Sequence, residues 1–168
     1  MVTFETALGR CAVRWSDAGI TRVLLPGPGV ARAIDLEVPR DVPPFVGRAI
    51  DGIVAVMAGQ PADLLDVPLD EAGVDEFRRE VYRVTRAIAP GTTRTYGEIA
   101  RAIGRPDAAR EVGVALARNP FPVIVPCHRV VAADGGLRGF SAPGGIATKR
   151  RMLELEGTPG YGQQTLFG

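Results

Sequence analysis

Thr95-Tyr96-Gly97-Glu98-Ile99-Ala100-Arg101-Ala102-Ile103-Gly104-Arg105-Pro106-Asp107-Ala108-Ala109-Arg110-Glu111-Val112-Gly113-Val114-Ala115-Leu116-Ala117-Arg118 decides what kind of fold this chain builds. Thr95 followed three residues later by Glu98 is a capping box, in which a hydroxyl and a carboxylate satisfy backbone amides at a helix start. It predicts a short helix from Tyr96 through Ile103. Gly104-Arg105-Pro106 turns the chain. Asp107 is placed to cap a second helix over 108–118. Two helices joined by a glycine-containing turn make a helix-turn-helix. Asn119-Pro120-Phe121-Pro122 then stops the second helix.

Downstream lies Ile124-Val125-Pro126-Cys127-His128-Arg129-Val130-Val131, where Cys127 precedes the only histidine of the chain. Residues 123–131 read as extended. A thiol beside an imidazole and a guanidinium is a setting that favours thiolate. That makes a covalent sulfur nucleophile the first functional reading. A buried structural cysteine beside a surface histidine is the plain alternative. Asp134-Gly135-Gly136 is a turn, residues 140–145 a glycine-containing loop and 146–156 a last helix. Residues 158–168 read as a tail, with Leu166-Phe167 expected to dock back.

Upstream, Val74, Phe77, Val81, Val84 and Ile88 recur at helical spacing, and Pro90-Gly91 ends the run. Short strands are expected at Val2–Glu5, Cys11–Trp15 and Ile20–Leu25, with a helix at Phe45–Ala58 that Gly59 would close. An edge strand is expected at Leu64–Val67. The fold class is therefore α/β in the α+β sense. A small N-terminal sheet-plus-helix unit (1–73) precedes a mostly helical C-terminal domain (74–157) and the tail (158–168).

The chain has 168 residues, room for one domain or two small ones. Net charge is +1, but it is unevenly spread. Residues 1–76 carry six Arg and twelve acidic residues, residues 77–118 nine Arg and four acidic residues, and residues 119–168 five basic and three acidic residues. A basic middle suits a polyanion, although a solvated helix surface reads the same way. Two cysteines and one histidine cannot complete a four-ligand zinc site of Cys and His, so neither metal nor cofactor is expected. The start carries no basic, apolar leader pattern, and no stretch approaches a membrane span. A cytoplasmic location is expected, where a Cys11–Cys127 disulfide is disfavoured.

Tyr96, the helix-turn-helix with Ala109-Arg110, Asn119-Pro120 and Pro126-Cys127-His128-Arg129 together resemble the O6-alkylguanine-DNA alkyltransferases, also called methylated-DNA–protein-cysteine methyltransferases. The resemblance is strong over residues 74–157 and looser over 1–73. It implies that Cys127 takes an alkyl (methyl) group from guanine O6 irreversibly, so that each molecule acts once. His128 would act on the thiol through a water, oriented by Glu156, in a nucleophile–base–orienter arrangement. Tyr96 would donate to guanine N3, and Asn119 would tie the helix-turn-helix to the active segment. Pro122, Val130, Phe140 and Ser141 would line the base pocket. Arg110 would fill the stack left by the extruded base, from a helix kept slim by Ala109 and Gly113. Arg129 is counted with the DNA-contacting residues. The implied partner is double-stranded DNA carrying O6-alkylguanine, bound by a monomer that uses no membrane.

This chain departs from the family pattern in two places. Glu111 stands where the family commonly has a small residue on the DNA-facing side. It must turn aside, pair with an arginine, or weaken binding. The loop 139–145 is longer than the common pattern, and Phe140 stands where Tyr is frequent. A second reading is a non-transferring relative that binds alkylated DNA and signals to another repair pathway. Such relatives lack the reactive cysteine, which is present here. A cysteine hydrolase fits poorly, because neighbours on a strand point to opposite faces.

Overall fold

The computed structural model describes residues 1–32, 41–138 and 144–162. Strands β1 (Val2–Thr6), β2 (Gly9–Ser16) and β3 (Gly19–Leu24) form an antiparallel sheet in chain order. Val13 pairs with Val2 on one side and Val23 on the other, and a bulge falls at Arg14/Trp15. Cys11, Val13, Ile20 and Val23 are buried, while Arg10, Arg14 and Arg22 are exposed. The short helix α1 (Pro28–Ala31) packs on β2.

Helix α2 (Pro44–Met57) lays Val46, Ala49, Ile53, Val56 and Met57 against the sheet. Proline opens it because its missing N–H would be unpaired there anyway. Gly59 follows at φ 75, a left-handed closure. A Cβ at Gly59 would meet the carbonyl oxygen of Leu155 at 2.7 Å, so glycine is required for this approach.

The expected strand at Leu64–Val67 does not form. Its carbonyls turn to Arg86 instead, whose Nη2 donates to Leu64 at 2.6 Å and to Val67 at 2.9 Å. An isolated bridge, Ile20 to Leu69, and a hydrogen bond from the Ser16 hydroxyl to Asp70 Oδ2 at 2.7 Å join this connector to the sheet.

Helix α3 (Glu76–Arg86) is capped by Asp75, which accepts from Arg78 N at 2.9 Å. Next come β4 (Arg94–Thr95), α4 (Tyr96–Ala102) and α5 (Ala109–Ala117). The capping box forms in both directions, each bond at 3.1 Å. Asp107 does not cap α5. Ala108 holds the N-cap position and closes the turn by main chain alone, donating to Arg105 O at 2.9 Å. Helices α3, α4 and α5 pack together, and Tyr82 of α3 donates to Ala115 O of α5 at 2.8 Å.

Strand β5 (Val130–Val131) pairs in parallel with β4, and helix α6 (Gly145–Leu155) closes the described fold. Thr158 and Tyr161 are buried, so the start of the tail packs down; Leu166-Phe167 lies outside the described residues. One hydrophobic cluster runs from Val2 and Cys11 through Tyr82 to Cys127 and Met152, so the two units share a core. Among the described residues no helix is long and apolar enough to cross a membrane.

Candidate active site around Cys127

Of residues 123–131 only Val130 and Val131 are extended, as β5; residues 123–129 are not. Val123 takes φ 75, rare for a β-branched residue, and is buried. Such strain costs about 1–3 kcal/mol and persists only where its surroundings enforce it. Asn119 supplies part of that enforcement. Its Oδ1 accepts from Phe121 N and its Nδ2 donates to Val125 O, both at 2.9 Å. Pro126 then makes an inverse γ-turn (φ −78, ψ 66), closed by Cys127 N to Val125 O at 2.8 Å. Cys127–Arg129 form one 3₁₀ turn. A proline cannot donate to a ladder, so the apolar run curls here instead of pairing. Adjacent side chains in a 3₁₀ turn diverge by about 120°, unlike the opposite faces of a strand.

Cys127 is 8% exposed. Burial pushes its thiol up, against a hydrogen bond from Asn119 and the charge of Lys149. The sulfur therefore rests as a thiol, which corrects the expectation that its neighbours hold it as thiolate. His128 is 1% exposed, and burial drives it toward the neutral imidazole. Its Nε2 meets Glu156 Oε1 at 2.6 Å. Donation from Nε2 to that carboxylate leaves Nδ1 as the proton-accepting nitrogen. Among the described residues no hydrogen bond joins imidazole and thiol directly.

Glu156 ends α6 with its side chain 3% exposed. Burial raises its carboxyl, yet hydrogen bonds and charge from His128 and Arg129 override that and hold it at about 2. Arg129 grips it with Nε at 3.0 Å and Nη2 at 2.8 Å, and Nη1 donates to Ile88 O at 2.7 Å. Arg129 is thus spent in the interior. The expectation that it contacts DNA is corrected, because its guanidinium neutralises the buried carboxylate.

The β4–β5 register pairs Thr95 with Val131 and brings Tyr96 beside the Cys127 turn. Tyr96 donates its hydroxyl proton to Arg138 O at 2.8 Å. Burial and the nearby sulfur push its phenol up. A residue that the sequence reading missed joins them: Lys149 of α6, 1% exposed. Its Nζ donates to Arg138 O at 2.9 Å and reaches the Tyr96 hydroxyl at 3.4 Å. A signal was present, since Lys149 is the only lysine among twenty basic residues.

Ala109 and Arg110 begin α5, Ala109 half-buried and Arg110 exposed. Gly113 lies against Tyr96; a Cβ there would sit 3.8 Å from the ring. Glu111 is exposed and borders the groove between α5 and α3 together with Phe77, Arg78 and Arg110. Pro122 is half-buried. Val130 is buried and its amide donates to Cys127 O. Phe140 and Ser141 lie outside the described residues, as does most of the longer loop. Among the described residues no group of three or more His, Cys, Asp or Glu is placed to hold a metal. The arrangement offers a nucleophile, a neutral base with its orienting carboxylate, and a phenol donor on one side of the turn.

The family model described as the 6-O-methylguanine DNA methyltransferase DNA-binding domain matches residues 76–158. A Mycobacterium tuberculosis methylated-DNA–protein-cysteine methyltransferase is 47% identical over 119 residues, covering 71% of this chain and 70% of its own. The crystal structure of a Mycobacterium tuberculosis O6-methylguanine methyltransferase is similar at TM-score 0.72 and 34% identity, covering 98% of this chain and 95% of that one. A Mycobacterium tuberculosis OGT solved in complex with DNA is similar at TM-score 0.71 and 32% identity, covering 95% and 94%.

Proposed function

Because the chain belongs to the methylated-DNA–protein-cysteine methyltransferase family, whose members repair DNA by alkyl transfer, we propose that Cys127 takes the alkyl group from guanine O6 and keeps it. The observation that carries this reading is the buried pair of His128 and Glu156 at 2.6 Å, next in chain to the thiol. His128 Nδ1 draws the thiol proton through one water, and Glu156 stabilises the imidazolium that results. Arg129 keeps Glu156 ionised throughout, so the proton stays on the imidazole. The sulfur attacks the alkyl carbon, the bond from that carbon to O6 breaks, and its electrons pass to guanine. Tyr96 turns from Arg138 O and gives its proton to N3. Freeing Cys127 from the thioether would require expelling a thiolate from an unactivated alkyl carbon, so Cys127 is not regenerated and each molecule acts once.

The lesion sits inside a duplex, so the base must be turned out. α5 enters the minor groove with Arg110 filling the gap, as wedge side chains do. A relative solved in complex with DNA and the net positive charge of residues 77–118 support DNA binding by this face. Val130, Pro122 and the loop with Phe140 and Ser141 would border the base. Residues 74–157 would then carry acceptor and DNA contacts, braced by residues 1–73.

Titration with duplex carrying one O6-methylguanine tests the stoichiometry. Transfer should stop at one methyl per protein; continued turnover would contradict the reading. Arg110→Ala should slow repair of duplex far more than reaction with free O6-benzylguanine. Equal slowing would remove base extrusion by Arg110.

A further inference from the structure

Lys149 is a buried cation that the alkyl-transfer mechanism above does not use. Among the described residues no carboxylate pairs with it. A buried ammonium without a counter-ion opposes folding. Its donors converge on one spot, the Arg138 carbonyl at 2.9 Å and the Tyr96 hydroxyl at 3.4 Å. Its Nζ also stands 5.8 Å from the Tyr96 ring centroid. Tyr96 shares the same carbonyl. When the phenol turns to a base, Lys149 still satisfies Arg138 O, so the turn leaves no buried acceptor unpaired.

We propose that Lys149 works through Tyr96: its ammonium stabilises the phenolate that forms as Tyr96 protonates the departing guanine. This rests on the alkyl-transfer reading. The sulfur–carbon bond forms, the bond from that carbon to O6 breaks, and guanine keeps the electron pair. The Tyr96 proton goes to N3. The ammonium then returns a proton to the phenolate, and a proton from solvent restores the ammonium. The thiol proton remains with His128 until solvent takes it. Lys149 is a positioning residue, since it touches neither guanine nor the alkyl group.

The groups that face its amine are Tyr96 from α4, Cys127 and His128 from the 3₁₀ turn, and the Arg138 carbonyl. Arg150 and Arg151, its neighbours on α6, are exposed. Burial pushes the Lys149 amine down to about 8, within reach of proton exchange near neutral pH. A group that stays charged only below that value predicts a fall in rate as pH rises through it.

The test compares two reactions at Cys127 in the full chain. One is methyl transfer from duplex carrying O6-methylguanine. The other is alkylation by iodoacetamide, whose iodide departs without a proton. Both are corrected for thiolate fraction from their pH profiles. Lys149→Met should slow methyl transfer by about a hundredfold and leave iodoacetamide alkylation little changed. The thermal midpoint should rise, because an uncompensated buried charge is gone. The alkaline fall near pH 8 should vanish. Lys149→Arg should recover part of the rate, with that fall displaced upward. Equal slowing of both reactions would overturn the inference, as would undiminished methyl transfer by Lys149→Met. In either case a wild type that accepts methyl leaves the alkyl-transfer reading standing, whereas a wild type that accepts none would end that reading itself.

Discussion

Cys11 and Cys127 are both buried, and burial raises both thiols, Cys11 to about 11. Their surroundings separate them. Cys11 faces the Met57 sulfur at 3.8 Å and the Thr6 hydroxyl at 4.0 Å, between β2 and α2. The Glu5 carboxylate nearby raises this thiol further, and no imidazole adjoins it in the chain. Cys127 has the Asn119 amide against its sulfur, the Lys149 charge nearby, and a neutral imidazole next in chain. A low resting pKa is therefore not what marks the reactive thiol. What marks it is a base held neutral by burial and kept directional by a carboxylate that cannot protonate.

The sharpest way to break this contrast is to exchange the two sulfurs for oxygen in turn. Cys127→Ser should abolish methyl uptake, while Cys11→Ser should keep it in full and alter stability alone. Intact-mass measurement reads both. Uptake by Cys127→Ser would mean that a different atom is the acceptor.

The next test removes the carboxylate behind the base. Glu156→Gln should slow transfer by about 10²–10⁴-fold, the range for general-base assistance. It also strands the buried Arg129 guanidinium, which should cost about 3–5 kcal/mol in urea unfolding. The pH dependence has a definite sign. Glu156 falls from 4.5 unfolded to about 2 folded, so its stabilisation is complete above pH 4.5 and fades as pH drops toward 2. The stability gap between wild type and Glu156→Gln should narrow over that window. His128 is also depressed, so acidification below its ordinary value of 6.5 favours the unfolded chain. A gap unchanged between pH 5 and pH 2 would contradict the ionised pair.

A smaller effect is expected at Asn119. Asn119→Ala removes the amide from the Cys127 sulfur and from Val125 O. It should slow iodoacetamide labelling of Cys127 about tenfold, in line with a hydrogen bond to a charged group. Labelling of Cys11 should not change. Peptide mapping reads both, and parallel slowing at Cys11 would indicate a general loss of structure.

Much of this was legible in the sequence because it is local. Thr95 and Glu98 fix a helix start three residues apart, and the apolar spacing of α2 and α3 needs no partner to be read. The parts that escaped depend on distant groups. Asp107 offers a cap, but the turn through Arg105 and Ala108 closes by main chain first. Leu64–Val67 resembles an edge strand until Arg86 takes its carbonyls. Residues 123–131 read as extended because an apolar run carries no sign of the γ-turn at Pro126 or of the strained Val123. Arg129 shows its charge in the sequence but not Glu156, which lies 27 residues on. Lys149 stands in Thr148-Lys149-Arg150-Arg151, which looks like a solvated helix face. Only its being a lysine in an arginine-rich chain set it apart.

The most direct measurement incubates the reduced protein with duplex carrying a single O6-methylguanine and maps the product by peptide mass. The account predicts one methyl on the peptide containing Cys127, none on Cys11, and an oligonucleotide returned to plain guanine. An unmodified thiol with the lesion intact, or a methyl found on any other residue, would contradict it.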